Sequence, residues 1–190
     1  FKVISKKIEL KIGKKIKKHI LNTSGILNFS DFQYEMVRSG IGLYGFGNDQ
    51  RFSNNLTPVL SLKTVISQIH HVKKGDSVGY NLGYIAKKQT RIATLPIGHA
   101  DGISRSCGNG KIHVLINGQK VKTIGNICMD MMMVDITTTP CEEGDEVIIF
   151  DDKNISVEQL SNSVDTISYE ILASLSKRIS RKIIYSKLNT

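Results

Sequence analysis

Two runs of apolar and β-branched residues flank the dipeptide Asn117-Gly118, and this arrangement constrains the fold more than any other feature of the sequence. The runs cover residues 112–116 and 120–124. A two-residue type I′ turn needs a positive φ at both central positions, which asparagine and glycine adopt with little strain. The sequence therefore predicts a β-hairpin at this point, and with it a region of antiparallel sheet.

Other segments around the hairpin extend this prediction. Turn residues bound several further runs of β-forming character. Strands are predicted at residues 60–72, 131–136, 146–150 and 182–188. Ser156 and Gln159 have the spacing of a capping box that opens a short helix, and residues 169–176 indicate a second helix. The stretch 58–190 is therefore predicted to be a mainly β domain, barrel-like, with two short helices.

The first 45 residues have a different order of predicted secondary-structure elements. They are predicted to contain a helix followed by a strand near residues 15–20, a loop at 22–25, a short helix at 32–37 and a strand at 41–44. This alternation is typical of α/β units. Residues 46–57 are polar and rich in glycine and asparagine, so we interpret them as a linker. The predicted division is thus 1–45, 46–57 and 58–190.

Residues 40–45 match the dinucleotide fingerprint G-x-G-x-x-G letter for letter. That motif binds a dinucleotide only when a strand precedes it and a helix begins inside it. Here the glycines lie within and after a predicted strand, and a polar linker follows. We therefore reject a dinucleotide site.

Charge and cysteine content exclude several classes of protein. The formal net charge is +9, and eight lysines against one glutamate lie in residues 1–18. Because no nucleic-acid motif accompanies them, we interpret this stretch as a solvated surface and expect no nucleic-acid partner. No apolar run approaches the roughly 20 residues that a membrane span needs. Three unevenly spaced cysteines without a CxxC favour neither a disulfide framework nor a metal site, and indicate a reducing cytoplasm.

Five segments, in this order, resemble the alanine racemase family. They are Met36 to Gly45 (MVRSGIGLYG), Val78 to Asn81 (VGYN), Leu95 to Gly102 (LPIGHADG), Ile127 to Asp130 (ICMD) and Thr166 to Glu170 (TISYE). One such segment is weak evidence, but five with matching order and separation are specific. The resemblance covers nearly the whole chain.

The resemblance implies an architecture. Members of this family have an N-terminal (β/α)₈ barrel that binds pyridoxal 5′-phosphate and a C-terminal β domain. Residues 1–45 would be the last βα elements of a truncated barrel, and residues 58–190 the C-terminal domain. The chain does not begin with Met, and we interpret it as an internal piece of a longer protein. The family's cofactor lysine lies near the start of the barrel and is therefore expected to be absent.

The resemblance also implies roles for particular residues. Racemisation removes a proton from one face of Cα and delivers one to the other face, so two acid/base groups must flank the substrate. By resemblance one is the missing lysine and the other is Tyr80. Met129 and Asp130 match the loop that meets the substrate carboxylate. Arg105 and Asp101 resemble residues of the entry corridor.

Cofactor contacts are implied in the same way. Arg38 matches the arginine that donates to the pyridine nitrogen, which weakens the electron sink and favours prompt reprotonation. Thr23, with the backbone amides of Gly40 and Ile41, matches the phosphate contacts. Tyr169 matches the phosphate-binding tyrosine.

In this family the tyrosine that Tyr80 matches reaches into the partner's barrel, so the resemblance implies a homodimer with composite active sites and a small amino acid as substrate.

The sequence departs from the usual pattern at four positions. His99 stands where tyrosine is usual, Asn126 where arginine is common, Ser168 where asparagine is usual and Thr23 where serine is usual.

Three functions therefore remain open. The first is an alanine racemase, of which the isolated fragment is inactive. The second, suggested by His99 and Asn126, is a racemase of broader specificity for serine or a basic amino acid. The third is a non-catalytic dimerisation or binding module.

Overall fold

The computed structural model describes residues 1–47, 51 and 55–185. The chain divides into two compact units, Phe1–Leu60 and Ser61–Thr190. The described part of the first unit is helical and irregular, whereas that of the second is mostly β. Of the predicted linker 46–57, residues 48–50 and 52–54 lie outside the described residues.

The first unit begins with helix α1 (Lys2–Ile12), as the sequence predicts. The helix ends at Gly13, whose φ of 70° lets its N–H reach Glu9 O. The Glu9 carboxylate then accepts from the backbone N–H of Ile16 at 3.1 Å and pairs with Lys18 Nζ at 2.8 Å. These contacts turn the chain back after the helix. The strand predicted near residues 15–20 is wrong, because the described residues of the unit offer no strand to pair with it.

Three further predictions for this unit are wrong. Residues 22–25, predicted as a loop, contain the cap and first turn of helix α2 (Thr23–Asn28), and the Asn22 side chain accepts from Gly25 N–H at 3.0 Å. The predicted helix at 32–37 is reduced to a 3₁₀ turn, Ser30–Phe32. The predicted strand at 41–44 is instead a 3₁₀ helix, Ile41–Tyr44, because its backbone groups bond locally, as from Leu43 N–H to Gly40 O.

The second unit contains a curled antiparallel sheet. Its described strands are β1 (Leu62–Val65), β2 (Gln68–Val72), β3 (Ser77–Val78), β4 (Tyr84–Ile85), β5 (Thr90–Leu95), β6 (His113–Ile116), β7 (Gln119–Ile124), β8 (Met132–Asp135) and β9 (Glu146–Phe150). Seven of these described strands form one sheet in the order β1-β9-β6-β7-β8-β5-β2, and β3 pairs with β4 separately. The prediction of a mainly β domain is confirmed.

The hairpin prediction is also confirmed. Asn117 has φ 48° and Gly118 has φ 79°, and the strands on either side pair with Ile116 opposite Gln119. On its other edge β7 pairs with β8, where Thr123 lies opposite Val134. The hairpin strand β7 therefore joins the two halves of the sheet.

Strands β6 and β8 are mostly buried, whereas β7 between them has exposed lysines that alternate with the buried residues Val121 and Thr123. The largest fully buried side chains are Phe150, Ile66, Leu95, Ile112, Ile116, Ile127, Met132, Ile136, Ile149, Val114, Val134 and Val147. A second buried cluster lies at the β2–β5–β8 end of the sheet and contains Val72, Val78, Ala86, Ile92, Ile124 and Met133. This cluster supports the surface on which the candidate site is built.

Strand boundaries differ from the sequence expectation at three places. The long run 60–72 is divided into β1 and β2, because Ile66 N–H still bonds towards β9, at Asp145 O, whereas Ser67 N–H bonds to Thr94 O of β5. Strands β3, β4 and β5 were not predicted: the first two have only two residues each, and Arg91 and Ala93 weaken the β pattern of the third. The closing strand predicted at 182–188 is wrong for residues 182–185, which are irregular, and its remainder lies outside the described residues.

Two α-helices complete the described part of this unit, α3 (Val157–Ser163) and α4 (Ser168–Ser174). The capping box at the start of α3 is confirmed: Ser156 Oγ accepts from Gln159 N–H at 3.1 Å, and the Gln159 side chain accepts from Ser156 N–H at 3.2 Å. In the described ranges of both units, no helix has the length and apolar character to cross a membrane.

We predict that Gly118→Val destabilises the second unit by about 1–2 kcal/mol, because a β-branched residue is strained in the left-handed region. A Cβ at this position meets no atom within 4 Å, so the cost is conformational and not steric. Urea unfolding measures the change. Gln119→Val, at the next and equally exposed position, is the matched control and should be near neutral; equal losses in both variants would contradict the turn assignment.

Candidate active site

An open groove of about 1020 Å³ on the second unit brings together three residues that the sequence nominates, Tyr80, Met129 and Asp130. Strand β2, the turn after it and strand β3 form one wall, and the loop from Cys128 to Met131 lies on the other. The structure thus places two motifs that are almost 50 positions apart in the sequence on one surface.

Tyr80 lies at the start of a short 3₁₀ turn, Tyr80–Leu82, directly after Gly79. Gly79 has φ 77°, which reverses the chain after β3 and directs the following residue outwards. The tyrosine side chain is 65% exposed. Its hydroxyl has no hydrogen-bond partner among the described residues, so it is free to contact a bound molecule or another chain.

The loop that carries Met129 and Asp130 is joined by backbone hydrogen bonds to the Leu95–Gly102 segment. His99 N–H donates to Cys128 O at 3.0 Å, and Ala100 N–H donates to Met129 O at 2.9 Å. A Cβ at Gly98 would stand 2.4 Å from Cys128 O, so only glycine allows this approach. Two of the sequence segments that resembled the same family are therefore parts of one local structure.

Arg178 was not predicted from the sequence, and it fixes this structure electrostatically. Its Nε and one terminal nitrogen bind the two oxygens of Asp101 at 2.6 and 3.0 Å, and the same terminal nitrogen binds Asp130 at 2.5 Å. Asp101 is buried, and its second oxygen also accepts Gly98 N–H at 2.9 Å. The guanidinium thereby connects both loops of the site.

The Arg178 hydrogen bonds lower the pKa of Asp101, although burial acts in the opposite direction. Asp101 and Asp130 raise the pKa of Arg178 in turn. The sequence offered one signal for this arginine: Asp101 and Asp130 each lie in a segment that resembles the family, and two neighbouring acids need a cation. Asp101 is a buried partner of this ion pair, and Arg105 is exposed on the 3₁₀ turn Arg105–Cys107; their place in an entry corridor stays a prediction.

Four predicted cofactor residues lie close together within the first unit. Arg38 N–H donates to Leu21 O at 3.0 Å, and Gly40 N–H donates to Thr23 Oγ1 at 3.1 Å. Both bonds join positions 17 apart, so the segment that leads into α2 lies beside the segment that leads into the 3₁₀ helix Ile41–Tyr44. The Ile41 N–H has no acceptor among the described residues, and the exposed Arg38 guanidinium donates to Ile20 O at 3.3 Å.

The other nominated residues lie elsewhere. Tyr169 is half-buried on α4 and does not line the groove of the second unit. His99 is exposed and lines a separate polar pocket with Asp165, Thr166 and Ser174. Asn126 lies beside the groove, where it contacts the backbone of Tyr80.

Cysteines and possible metal ligands give no further site in the described ranges. Cys107, Cys128 and Cys141 are all free thiols. Burial raises the pKa of Cys107 to about 11, so it is protonated at neutral pH. No group of three or more His, Cys, Asp or Glu side chains within residues 1–47, 51 and 55–185 is arranged to hold a metal ion.

Comparison with known proteins identifies close similarities. A family model described as the alanine racemase C-terminal domain matches residues 59–183. An alanine racemase of Halothermothrix orenii is 38% identical over 171 residues, which are 87% of this chain and 45% of that protein. The chain spans about half the length of the curated relatives that it matches.

Solved structures agree. An alanine racemase of Clostridium difficile 630 in complex with cycloserine is 36% identical, with a TM-score of 0.80, over 92% of this chain and 47% of that one. An alanine racemase of Bartonella henselae with covalently bound pyridoxal phosphate is 31% identical, with a TM-score of 0.79, over 93% of this chain and 50% of that one.

We predict that Asp101→Asn reduces the loss of unfolding free energy that the chain shows as the pH falls. The Asp101 pKa lies below its unfolded value of about 3.9, so the ionised carboxylate stabilises the folded chain above that value. This contribution is lost as the pH falls through the folded pKa. The variant should be less stable at pH 7 and lose less stability on acidification from about pH 5 to about pH 3.

Urea unfolding at a series of pH values measures this effect, with exposed Asp152→Asn as control. Parallel pH profiles for the wild type and Asp101→Asn would rule out Asp101 as the responsible group.

Proposed function

Because this chain belongs to the alanine racemase family, we propose that it supplies the C-terminal part of an enzyme that interconverts L- and D-alanine. The observation that carries the proposal is the groove in which Tyr80, Met129 and Asp130 meet. In this proposal residues 1–45 complete a cofactor-binding barrel and residues 58–190 form the C-terminal domain. The cofactor lysine belongs to a segment outside this chain.

Tyr80 is proposed as one of the two groups that move a proton at the substrate Cα. Two observations support this role: the side chain is exposed, and no described residue forms a hydrogen bond with its hydroxyl. A tyrosine is able to take and return a proton at one face only, so the opposite face requires the lysine. The phenolic oxygen is therefore the atom at which this chain acts on the substrate.

Met129 and Asp130 are proposed to bind the substrate carboxylate. Their backbone N–H groups donate to no described residue, so both are available to a carboxylate oxygen. The negative charge of Asp130 would oppose such a ligand. Arg178 offsets that charge by its hydrogen bond of 2.5 Å to Asp130.

We propose pyridoxal 5′-phosphate as the cofactor, as in the Bartonella relative. When bound, this group withdraws electrons from Cα and allows its proton to leave. The residues of the first unit fit a phosphate. Thr23 Oγ1 accepts from Gly40 N–H at 3.1 Å and from Gly42 N–H at 3.4 Å, which leaves its own proton to be donated.

The Ile41 N–H is a second free donor, and the space beside Gly40 is open because a Cβ there would meet nothing within 4 Å. Gly40 would thus contribute close approach, since its own N–H is held by Thr23. Arg38 is proposed to donate to the pyridine nitrogen with the guanidinium donors that remain. Tyr169 stays proposed as a phosphate ligand on the strength of its motif.

We further propose that the enzyme is a homodimer in which Tyr80 serves the partner's barrel. Several large apolar side chains at or near the groove are exposed: Tyr80, Leu82, Ile85, Met129 and Met131. A cluster of this kind favours coverage by another protein surface. The three free thiols support the proposal that the enzyme works in a reducing cytoplasm.

We predict that the chain by itself, supplied with pyridoxal phosphate and L-alanine, produces no D-alanine, because it lacks the second proton-transfer group. Joined in one reading frame to a lysine-bearing barrel half, it should racemise alanine. Tyr80→Phe should then reduce kcat by about 10²–10⁴-fold. Chiral chromatography of the product measures both results, and Tyr185→Phe, at an exposed tyrosine, is the control.

The same assay tests the alternatives with a panel of L-amino acids. Turnover of serine or lysine well above that of alanine would establish the broader specificity instead. Full activity of Tyr80→Phe would refute the role of Tyr80. A joined protein that dimerises but racemises no amino acid would indicate a non-catalytic module.

A further inference from the structure

The turn that carries Tyr80 is strained, and its own side chains do not hold it. Asn81 has φ 57° and Leu82 has φ 53°, two successive non-glycine residues in the left-handed region. Such residues persist only where surrounding structure imposes the conformation. Tyr80 and Leu82 are both 65% exposed, so packing of their side chains contributes little. The constraint must therefore act on the backbone.

The backbone constraint is found at the carbonyl oxygen of Tyr80. This oxygen accepts from Gly83 N–H at 3.2 Å, which closes the turn, and from Asn126 Nδ2 at 2.9 Å. The first bond lies within the turn and cannot fix its position on the domain. Among the hydrogen bonds of Tyr80–Leu82 with described residues, the second one ties the turn to another segment of the unit.

Neighbouring residues determine how the Asn126 side chain is oriented. Asn109 Nδ2 donates to Asn126 Oδ1 at 3.1 Å. Since Oδ1 is the acceptor of the amide, this bond directs Nδ2 towards Tyr80. A Cβ at Gly83 would stand 2.7 Å from Asn126 Nδ2, so glycine at this position permits the approach. Three residues from separate segments thus converge on one hydrogen bond.

Asn126 also directly precedes the opposite wall of the groove. The next residue, Ile127, is fully buried and anchors the chain, and the loop with Met129 and Asp130 follows. The Tyr80 turn is therefore bonded to a residue that lies two positions before the loop that forms the other wall.

We propose that Asn126 is a positioning residue that holds the Tyr80 turn in place relative to the Met129–Asp130 loop. The inference rests on the proposed role of Tyr80 as a proton-transfer group. It also gives a physical reason for the asparagine that stands where arginine is common: its amide is used on the protein's own backbone.

The first test uses backbone ¹⁵N relaxation on the 190-residue chain. Asn126→Asp has the same shape but no donor for the Tyr80 carbonyl. The order parameters of Asn81 and Leu82 should fall from about 0.85 to below about 0.6. Asn117→Gly is the control, because it also removes an asparagine amide that donates to a backbone carbonyl, at Pro140, together with a bond to the Asp145 carboxylate, and glycine suits its positive φ. Order parameters that stay unchanged in Asn126→Asp would overturn the proposal.

The second test uses the enzyme joined to its lysine-bearing half. Asn126→Asp should lower kcat by about tenfold, because a misplaced acid/base group slows proton transfer, and should leave KM within about twofold. With Cα-deuterated alanine, the isotope effect should increase in one reaction direction only, the one in which Tyr80 removes the proton. A raised KM with unchanged kcat, or equal isotope effects in both directions, would overturn the positioning role.

Tyr80→Phe in the same enzyme distinguishes a failure of the positioning role of Asn126 from a failure of the proton-transfer role of Tyr80. If Tyr80→Phe is inactive and Asn126→Asp behaves like Asn117→Gly, the positioning role alone fails. If Tyr80→Phe keeps full activity, the proposed function of Tyr80 fails and the positioning role fails with it. Loss of activity in Tyr80→Phe together with the one-directional isotope effect in Asn126→Asp supports both.

Discussion

Strand β7 pairs on both of its edges, with β6 through the Asn117-Gly118 hairpin and with β8 on the other side, and the candidate site depends on this arrangement. The two-residue turn fixes the register of β6 and β7, and a slip by one residue would turn every buried side chain of β7 outwards. At its end β7 delivers Ile124 to the buried cluster beneath the groove and leads directly into Gly125 and Asn126. The position of Asn126 beside Tyr80 therefore depends on the turn at the other end of β7.

Electrostatics act locally in this protein. Most of the lysines that give the net charge of +9 are exposed, and solvent screens their charges. Arg178, by contrast, forms two ion pairs with acids from two loops, and one of them, Asp101, is buried. A charged group contributes more where water is excluded and the geometry is bidentate. The ion pairs of Arg178 therefore contribute more to the structure of the candidate site than the net charge of the chain does.

Departures from a family pattern gain meaning once their contacts are known. His99 and Asn126 both suggested altered specificity when only the sequence was considered. In the structure His99 lines a pocket apart from the groove, and Asn126 bonds to the tyrosine turn. Neither side chain lines the groove, and the preference among amino acid substrates stays a prediction.

The sequence by itself determined those features that depend on neighbouring residues. The hairpin at Asn117-Gly118, the capping box at Ser156 and the helix over residues 2–12 follow from local backbone preferences, and the ordered motifs identified the family. Tertiary structure decided the features that require a distant partner. Residues 15–20 and 41–44 have strand-like sequences but form no strand, because a strand needs hydrogen-bonded neighbours that the described residues do not offer. The contacts of Arg178 with Asp101 and of Asn126 with Tyr80 join segments 77 and 46 positions apart, and only folding brings such segments together.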